Sequence, residues 1–213
     1  MSAGRVQVLL VHGWGFGPEI WDRVAAALPG FEIARVDLGF FGPPRLCPPS
    51  PQPVLAVGHS LGLLWLLQHR PCPWRALISI NGFPRFTETE DYRPAVPVRL
   101  LERMLRRLDQ DPAAVVGEFR HRCGCADPLP GRPETARLRW GLEGLRDWDA
   151  RASLPEAGPR LALGGGADPI LPAGMAADGF AREHETLAGA GHLLPLEAPD
   201  WCAARIARVA EAL

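Results

Sequence analysis

One short segment constrains this chain more than any other: Gly58-His59-Ser60-Leu61-Gly62. Before it, Val54 to Val57 form an apolar, strand-like run. After it, Leu61 to His69 carry Leu63, Leu64 and Leu67 at helical spacing. A serine flanked by glycines between a strand and a helix describes a very tight turn. The serine backbone is strained there, and the glycines let neighbouring chain pass close by. The turn lifts the Ser60 hydroxyl above the end of a sheet, at the N-terminus of a helix whose dipole favours negative charge.

The rest of the chain reads as such a sheet. Val6 to Val11, Phe31 to Val36, Arg75 to Ile80, Arg160 to Leu163 and Glu183 to Leu187 are further short apolar or β-branched runs. Helical patterns separate them. Pro18 opens one that carries Ile20, Trp21, Val24, Ala25 and Leu28 and stops at Pro29-Gly30, and a last one runs from about Leu196 to Leu213. Alternating strands and helices predict an α/β fold with a mostly parallel sheet of about six strands. From Pro84 to Gly158 only helical segments are found: Pro97 to Asp109, Pro112 to Arg120 and Pro133 to Arg146. The expected organisation is an α/β core, 1–83 and 159–213, interrupted by a helical lid insertion, 84–158. Gly42 to Pro53 holds six prolines in 12 residues where a crossover helix is expected. Proline at that density forbids a helix, so this reads as an extended crossover.

Composition excludes several classes. The formal charge is −1, from 23 basic and 24 acidic residues, which argues against nucleic acid as a partner. No apolar run reaches the ~18 residues of a membrane span. Met1 to Arg5 lack the charged lead of a signal peptide. Five cysteines, an odd number, fit a reduced cytoplasmic protein. Cys123-Gly124-Cys125 lacks two further ligands at zinc-site spacing, so no metal is expected.

Chemistry is predicted at the strand ends. Ser60 is the candidate nucleophile. Asp168 follows the Leu161–Leu163 run, in Gly166-Ala167-Asp168-Pro169. His192 follows the last strand, in Gly189-Ala190-Gly191-His192. The order Ser, Asp, His is that of an elbow-type triad. Asp178 and Glu183 compete as acids but read as surface groups. His184 falls within a strand, and His69 and His121 read as helix-end residues. His12-Gly13-Trp14-Gly15 follows the first strand. Backbone N–H groups of Trp14 and Leu61 are the candidate oxyanion hole, with His12 bracing the loop.

In these motifs the chain resembles the α/β-hydrolase superfamily. Within it, the chain is most similar to the pimeloyl-acyl-carrier-protein methyl ester esterases of biotin synthesis. The resemblance lies in Val8 to Trp21, Gly58 to Gly62, Asn81 to Pro94, Gly141 to Arg151, Gly166 to Pro172 and Gly189 to Pro195. It departs from the family in lacking an N-terminal strand pair, in the proline stretch, and in His59, where better-known members carry Trp. The resemblance implies a cofactor-free carboxylic ester hydrolase. Its substrate would be a small acyl ester, the pimeloyl methyl ester on acyl carrier protein, with no membrane partner. A promiscuous short-chain carboxylesterase, a C–C bond hydrolase and a catalytically silent binding protein remain as alternatives. Phe83, Phe86, Trp140 and Trp148 are expected to line an acyl pocket or pack in the core. Arg99, Arg103, Arg106 and Arg107 share one helix face opposite a leucine stripe, and that face is the expected carrier-protein contact.

Overall fold

The computed structural model describes residues 6–46, 50–175 and 181–213. The competing acid Asp178, the leading Met1 to Arg5 and part of the proline stretch lie outside them. Six strands, β1 (Gln7–Val11), β2 (Glu32–Val36), β3 (Val54–His59), β4 (Ala76–Ile80), β5 (Leu161–Gly165) and β6 (Glu183–Leu187), form one sheet. All neighbours are parallel, in the order β2-β1-β3-β4-β5-β6. The chemistry of the runs explains their places. β3 and β4 are apolar without alternation because both faces are covered. β2 and β6 carry charged residues and stand half-exposed at the two edges.

Between the strands run α1 (Asp22–Ala26), α2 (Leu61–His69), α3 (Val98–Leu108), α4 (Pro112–Arg122), α5 (Thr135–Asp147) and α6 (Leu154–Ala157), and α7 (Leu194–Glu197) and α8 (Pro199–Ala210) follow the last strand. Helices α3 to α6 all fall between β4 and β5. There α3 packs mainly on α5 and α4, and α5 reaches down to α2. An isolated bridge between Arg85 and Asp149 ties the two ends of this segment together, and one between Thr87 and Val96 closes the loop before α3.

Two expectations change. The single terminal helix is broken at Ala198, because Pro199 lacks the N–H that would continue α7 and its ring crowds the preceding turn. The helix opened by Pro18 is shorter than its apolar pattern: Pro18–Trp21 is a 3-10 turn, and α1 ends at Ala26. The proline stretch does join β2 to β3 across β1, and its described residues contain no helix. Asp37 and Arg45 close part of it into a loop by an antiparallel bridge.

Strand order reverses at β1, whose neighbours β2 and β3 are reached by connections leaving in opposite directions. Such a switch point leaves a crevice beyond the carboxyl ends of the strands. Val11 pairs with Gly58 there, so the loop after β1 and the turn after β3 leave the sheet side by side.

Candidate active site

Ser60 sits at the top of β3 with φ 53° and ψ −122°, a left-handed backbone that a side chain resists. Its N–H donates to the Ile80 carbonyl at 3.0 Å, which fixes the turn to β4. The glycines allow the turn to be this tight. A Cβ on Gly58 would stand 2.5 Å from the Leu63 backbone nitrogen, and one on Gly62 would strike the Val11 carbonyl. Helix α2 can therefore start against β1 only with glycine at 62.

The three strand-end residues meet. His192 Nε2 lies 3.1 Å from Ser60 Oγ, and His192 Nδ1 lies 2.7 Å from Asp168 Oδ2. His192 is buried, and the Asp168 side chain is 8 % exposed. Burial alone would raise the Asp168 carboxyl, but the bond to His192 and the N–H groups of Ile170 and Leu171 outweigh it. The net direction is below the ordinary carboxylate value, so the group stays ionised against the imidazole. Nδ1–H then donates to the carboxylate, which leaves Nε2 to accept from the Ser60 hydroxyl.

Sequence reasoning missed several groups that hold these residues. Asn81, at φ 45°, donates from Nδ2 to the carbonyls of Gly191 and His192 at 2.9 and 2.8 Å. Its Oδ1 accepts from Gly165 N–H at 2.8 Å. One amide thus joins the ends of β4 and β5 to the histidine loop. The Glu197 carboxylate accepts from the N–H groups of Gly191 and Leu193, one on each side of His192, at 2.7 and 3.1 Å. The signals available were an Asn-Gly pair at a strand end and an acid five residues after His192. Neither identifies a partner until the fold is known. His59 donates from Nε2 to the His192 carbonyl at 2.9 Å. It is wholly buried, and burial, then the nearby His192, push its pKa from the ordinary 6.5 down to about 3.

The loop after β1 is equally constrained. His12 bonds the Gly13 carbonyl through Nδ1 and accepts from Leu38 N–H through Nε2, at 2.9 and 3.0 Å. Trp14 is buried, donates from Nε1 to the Leu138 carbonyl of α5 at 2.8 Å, and meets Phe119 edge-on at 5.0 Å. Gly141 makes room, since a Cβ there would stand 2.6 Å from the Trp14 ring. Buried Arg120 of α4 donates to the Gly15 carbonyl at 3.2 Å and to Cys125 Sγ at 3.3 Å. Leu61 N–H is the first of helix α2 and has no helical carbonyl to serve.

A cavity of about 230 Å³ opens beside Ser60 and Trp14. Leu100, Leu101 and Met104 of α3, and Leu142 and Leu145 of α5, give it an apolar wall. Of the aromatics expected there, Phe86 lines it, whereas Phe83, Trp140 and Trp148 do not. Phe83 is buried behind Phe86, with ring centres 4.7 Å apart. Trp140 is about 200° around α5 from Leu142. It packs instead on Trp148 and His69, under the guanidinium of Arg137. Arg99, Arg103, Arg106 and Arg107 are all exposed on α3, away from its Leu101, Leu105 and Leu108 face. Arg107 is committed to Glu118 by two bonds of 2.6 Å, whereas Arg99, Arg103 and Arg106 form no ion pair among the described residues. Of the competing residues, Glu183 and His184 are exposed on β6, and His69 and His121 are exposed at the ends of α2 and α4. Cys123 and Cys125 are buried, and burial pushes the Cys123 thiol up, away from thiolate chemistry. Among the described residues no cluster of His, Cys, Asp or Glu could hold a metal ion, and no helix is long and apolar enough to cross a membrane.

An all-parallel sheet with helices on it, and this turn at its switch point, defines an α/β-hydrolase fold. Solved structures agree. An esterase from Exiguobacterium antarcticum superposes with a TM-score of 0.77 at 17 % identity, covering 98 % of this chain and 93 % of that one. A hydrolase from Pseudomonas aeruginosa PA01 gives 0.71 at 19 %, covering 100 % and 92 %. No family model matches the chain. Among curated proteins, the pimeloyl-[acyl-carrier protein] methyl ester esterase of Legionella pneumophila (strain Corby) is 30 % identical over 185 residues, 78 % of this chain and 77 % of that protein. The protein of that name from Aromatoleum aromaticum is 29 % identical over 226 residues, 95 % of this chain and 86 % of that protein. The chain belongs to the pimeloyl-acyl-carrier-protein methyl ester esterase family and is an ester hydrolase.

Proposed function

We propose that the enzyme is a serine hydrolase that cleaves the methyl ester of a pimeloyl chain carried on acyl carrier protein, in the cytoplasmic synthesis of biotin. The reading rests on one observation: an unbroken chain of hydrogen bonds from Ser60 through His192 to Asp168, opening into an apolar cavity. Ser60 Oγ attacks the ester carbonyl while His192 Nε2 takes its proton. The tetrahedral oxyanion rests on the N–H groups of Trp14 and Leu61. The carbon–oxygen bond to the methoxy group breaks, and His192 returns the proton to it, so methanol leaves. Water, deprotonated by His192, then releases the acid from Ser60. Asp168 holds the imidazole tautomer and offsets its charge at each step. The chemistry calls for no metal and no organic cofactor.

Residues 84–158 act as a lid in this reading. The apolar face of α3 roofs the acyl chain, and Arg99, Arg103 and Arg106 on its outer face meet the acidic carrier. Names of the relatives support the substrate. A fluorophosphonate probe tests the mechanism. It is expected to label the protein once, at Ser60, and Ser60→Ala is expected to lose labelling and about a thousandfold or more of ester turnover. Equal labelling of the Ala variant overturns the mechanism. Rescue of a bacterium that needs biotin because it lacks this esterase tests the substrate, and failure to rescue with soluble, active protein rejects it.

A further inference from the structure

Three arginines stand immediately before three neighbouring strands: Arg75 before β4, Arg160 before β5 and Arg182 before β6. Strand register decides where their side chains go. Leu161 pairs with Ile78 on one side and with Glu183 on the other. One step earlier, Arg160 therefore stands between Leu77 and Arg182. Backbone bonds hold it there: its N–H donates to the Leu77 carbonyl at 2.8 Å, and its carbonyl accepts from Glu183 N–H at 3.1 Å. Leu77 shares a face with Arg75, two residues back, because side chains alternate along a strand. The three arginines thus fall on one face of adjacent strands, and all three line one cleft of about 200 Å³. The cleft is at the opposite end of the sheet from Ser60. β5 is five residues long, so ~17 Å of strand separates Arg160 from the triad end.

This cluster lacks compensation. Among the described residues Arg75, Arg160 and Arg182 are exposed and form no side-chain hydrogen bond or ion pair. Glu156 of α6 also lines the cleft, but it faces Arg70 at 3.8 Å. Neighbouring strands lie ~4.8 Å apart, so three cations on one face repel one another, and a multiply charged anion relieves that repulsion. The width sets the kind of anion. Across two strand spacings the three stems are spread over ~10 Å, more than a single carboxylate spans. Linked phosphates carry oxygens over a greater width, and each phosphate suits the paired N–H groups of a planar guanidinium. Half-buried Trp74 forms a further side of the cleft.

We propose that this cleft binds the diphosphate group of a small molecule, held by Arg75, Arg160 and Arg182, with Arg160 in the middle. The site is separate from the ester-cleaving centre and stands whether or not Ser60 is the nucleophile.

Calorimetric titration of the full chain tests it, with inorganic pyrophosphate and with malonate at equal ionic strength. One pyrophosphate is expected to bind per chain, about tenfold or more tighter than malonate, and to weaken severalfold as salt rises to 0.15 M. Arg160→Gln is expected to weaken it about tenfold, the loss of a charge-assisted contact. Arg75→Gln and Arg182→Gln should each act in the same direction, and either answers the question if Arg160→Gln folds poorly. Ester turnover should be unchanged in all three. Reversal of Arg99, Arg103 and Arg106 on α3 serves as the control and should leave pyrophosphate binding as it was. ADP as a second ligand separates two sources of the same chemistry: tighter binding than pyrophosphate assigns a nucleoside diphosphate with its base on Trp74, and equal or weaker binding assigns the inorganic ion. No pyrophosphate binding, equal affinity for pyrophosphate and malonate, or undiminished binding by the Arg→Gln variants overturns the inference.

Discussion

His59 shows how much the site depends on a side chain that need not touch substrate. Its partner fixes its tautomer and burial keeps it neutral: a carbonyl can only accept, so Nε2 must carry the hydrogen that bonds His192 C=O. Its pKa of about 3 has a thermodynamic counterpart. Between the ordinary 6.5 and about 3, the unfolded chain protonates His59 and the folded chain does not. The unfolded state therefore binds more protons in that window, and stability falls as pH drops through it, by on the order of 1 kcal/mol per pH unit. His59→Phe cannot titrate and is expected to show a shallower loss, read from urea unfolding across the window. A slope equal to that of the wild-type protein rejects this account. The same variant gives up one of the two side-chain bonds to the His192 carbonyl, the other coming from Asn81, so its turnover is expected to fall as well.

At the scale of elements, the turn between β3 and α2 was legible in full, because glycine at 58 and 62 is a statement about backbone clearance. Gly62→Ala must push α2 away from β1, since the new methyl meets backbone and not a mobile side chain. A loss of ~2–4 kcal/mol in chemical denaturation is expected. The face of α3 was legible as a pattern but not as a surface. Spacing groups Arg99, Arg103, Arg106 and Arg107 together, yet it cannot show that Glu118, one helix later, captures Arg107. Reversal of Arg99, Arg103 and Arg106 to Glu is thus the sharper test of the carrier contact. It is expected to raise KM for a carrier-bound ester severalfold, most at low ionic strength. Turnover of a small free ester should change little, and equal effects on both substrates reject α3 as the contact.

At the scale of the whole molecule, a mostly parallel sheet was readable from its short strand-like runs, whereas their order was not, and a parallel sheet gathers the ends that carry Ser60, Asp168 and His192 at one edge. The cavity was not readable either. Phe83 and Trp140 are as apolar as Phe86, and only the docking of α5 on α2 decides which ring faces the cavity and which is packed away. Trp14 is one of the ties between the two parts of the molecule, loop after β1 to α5. Trp14→Phe keeps an aromatic ring but loses that bond and part of the buried indole, so turnover is expected to drop about tenfold with a stability loss of ~2–3 kcal/mol. A drop in stability without one in turnover contradicts this coupling. The position of α3 carries a further meaning. It lies chiefly on other helices of the segment between β4 and β5, yet it supplies Leu100, Leu101 and Met104 to the apolar wall of the cavity beside Ser60. Under the proposed function, bond cleavage and choice of bond are therefore written in separate stretches of the gene. Codons for α3 are free to drift toward a new clientele while the catalytic apparatus is inherited intact.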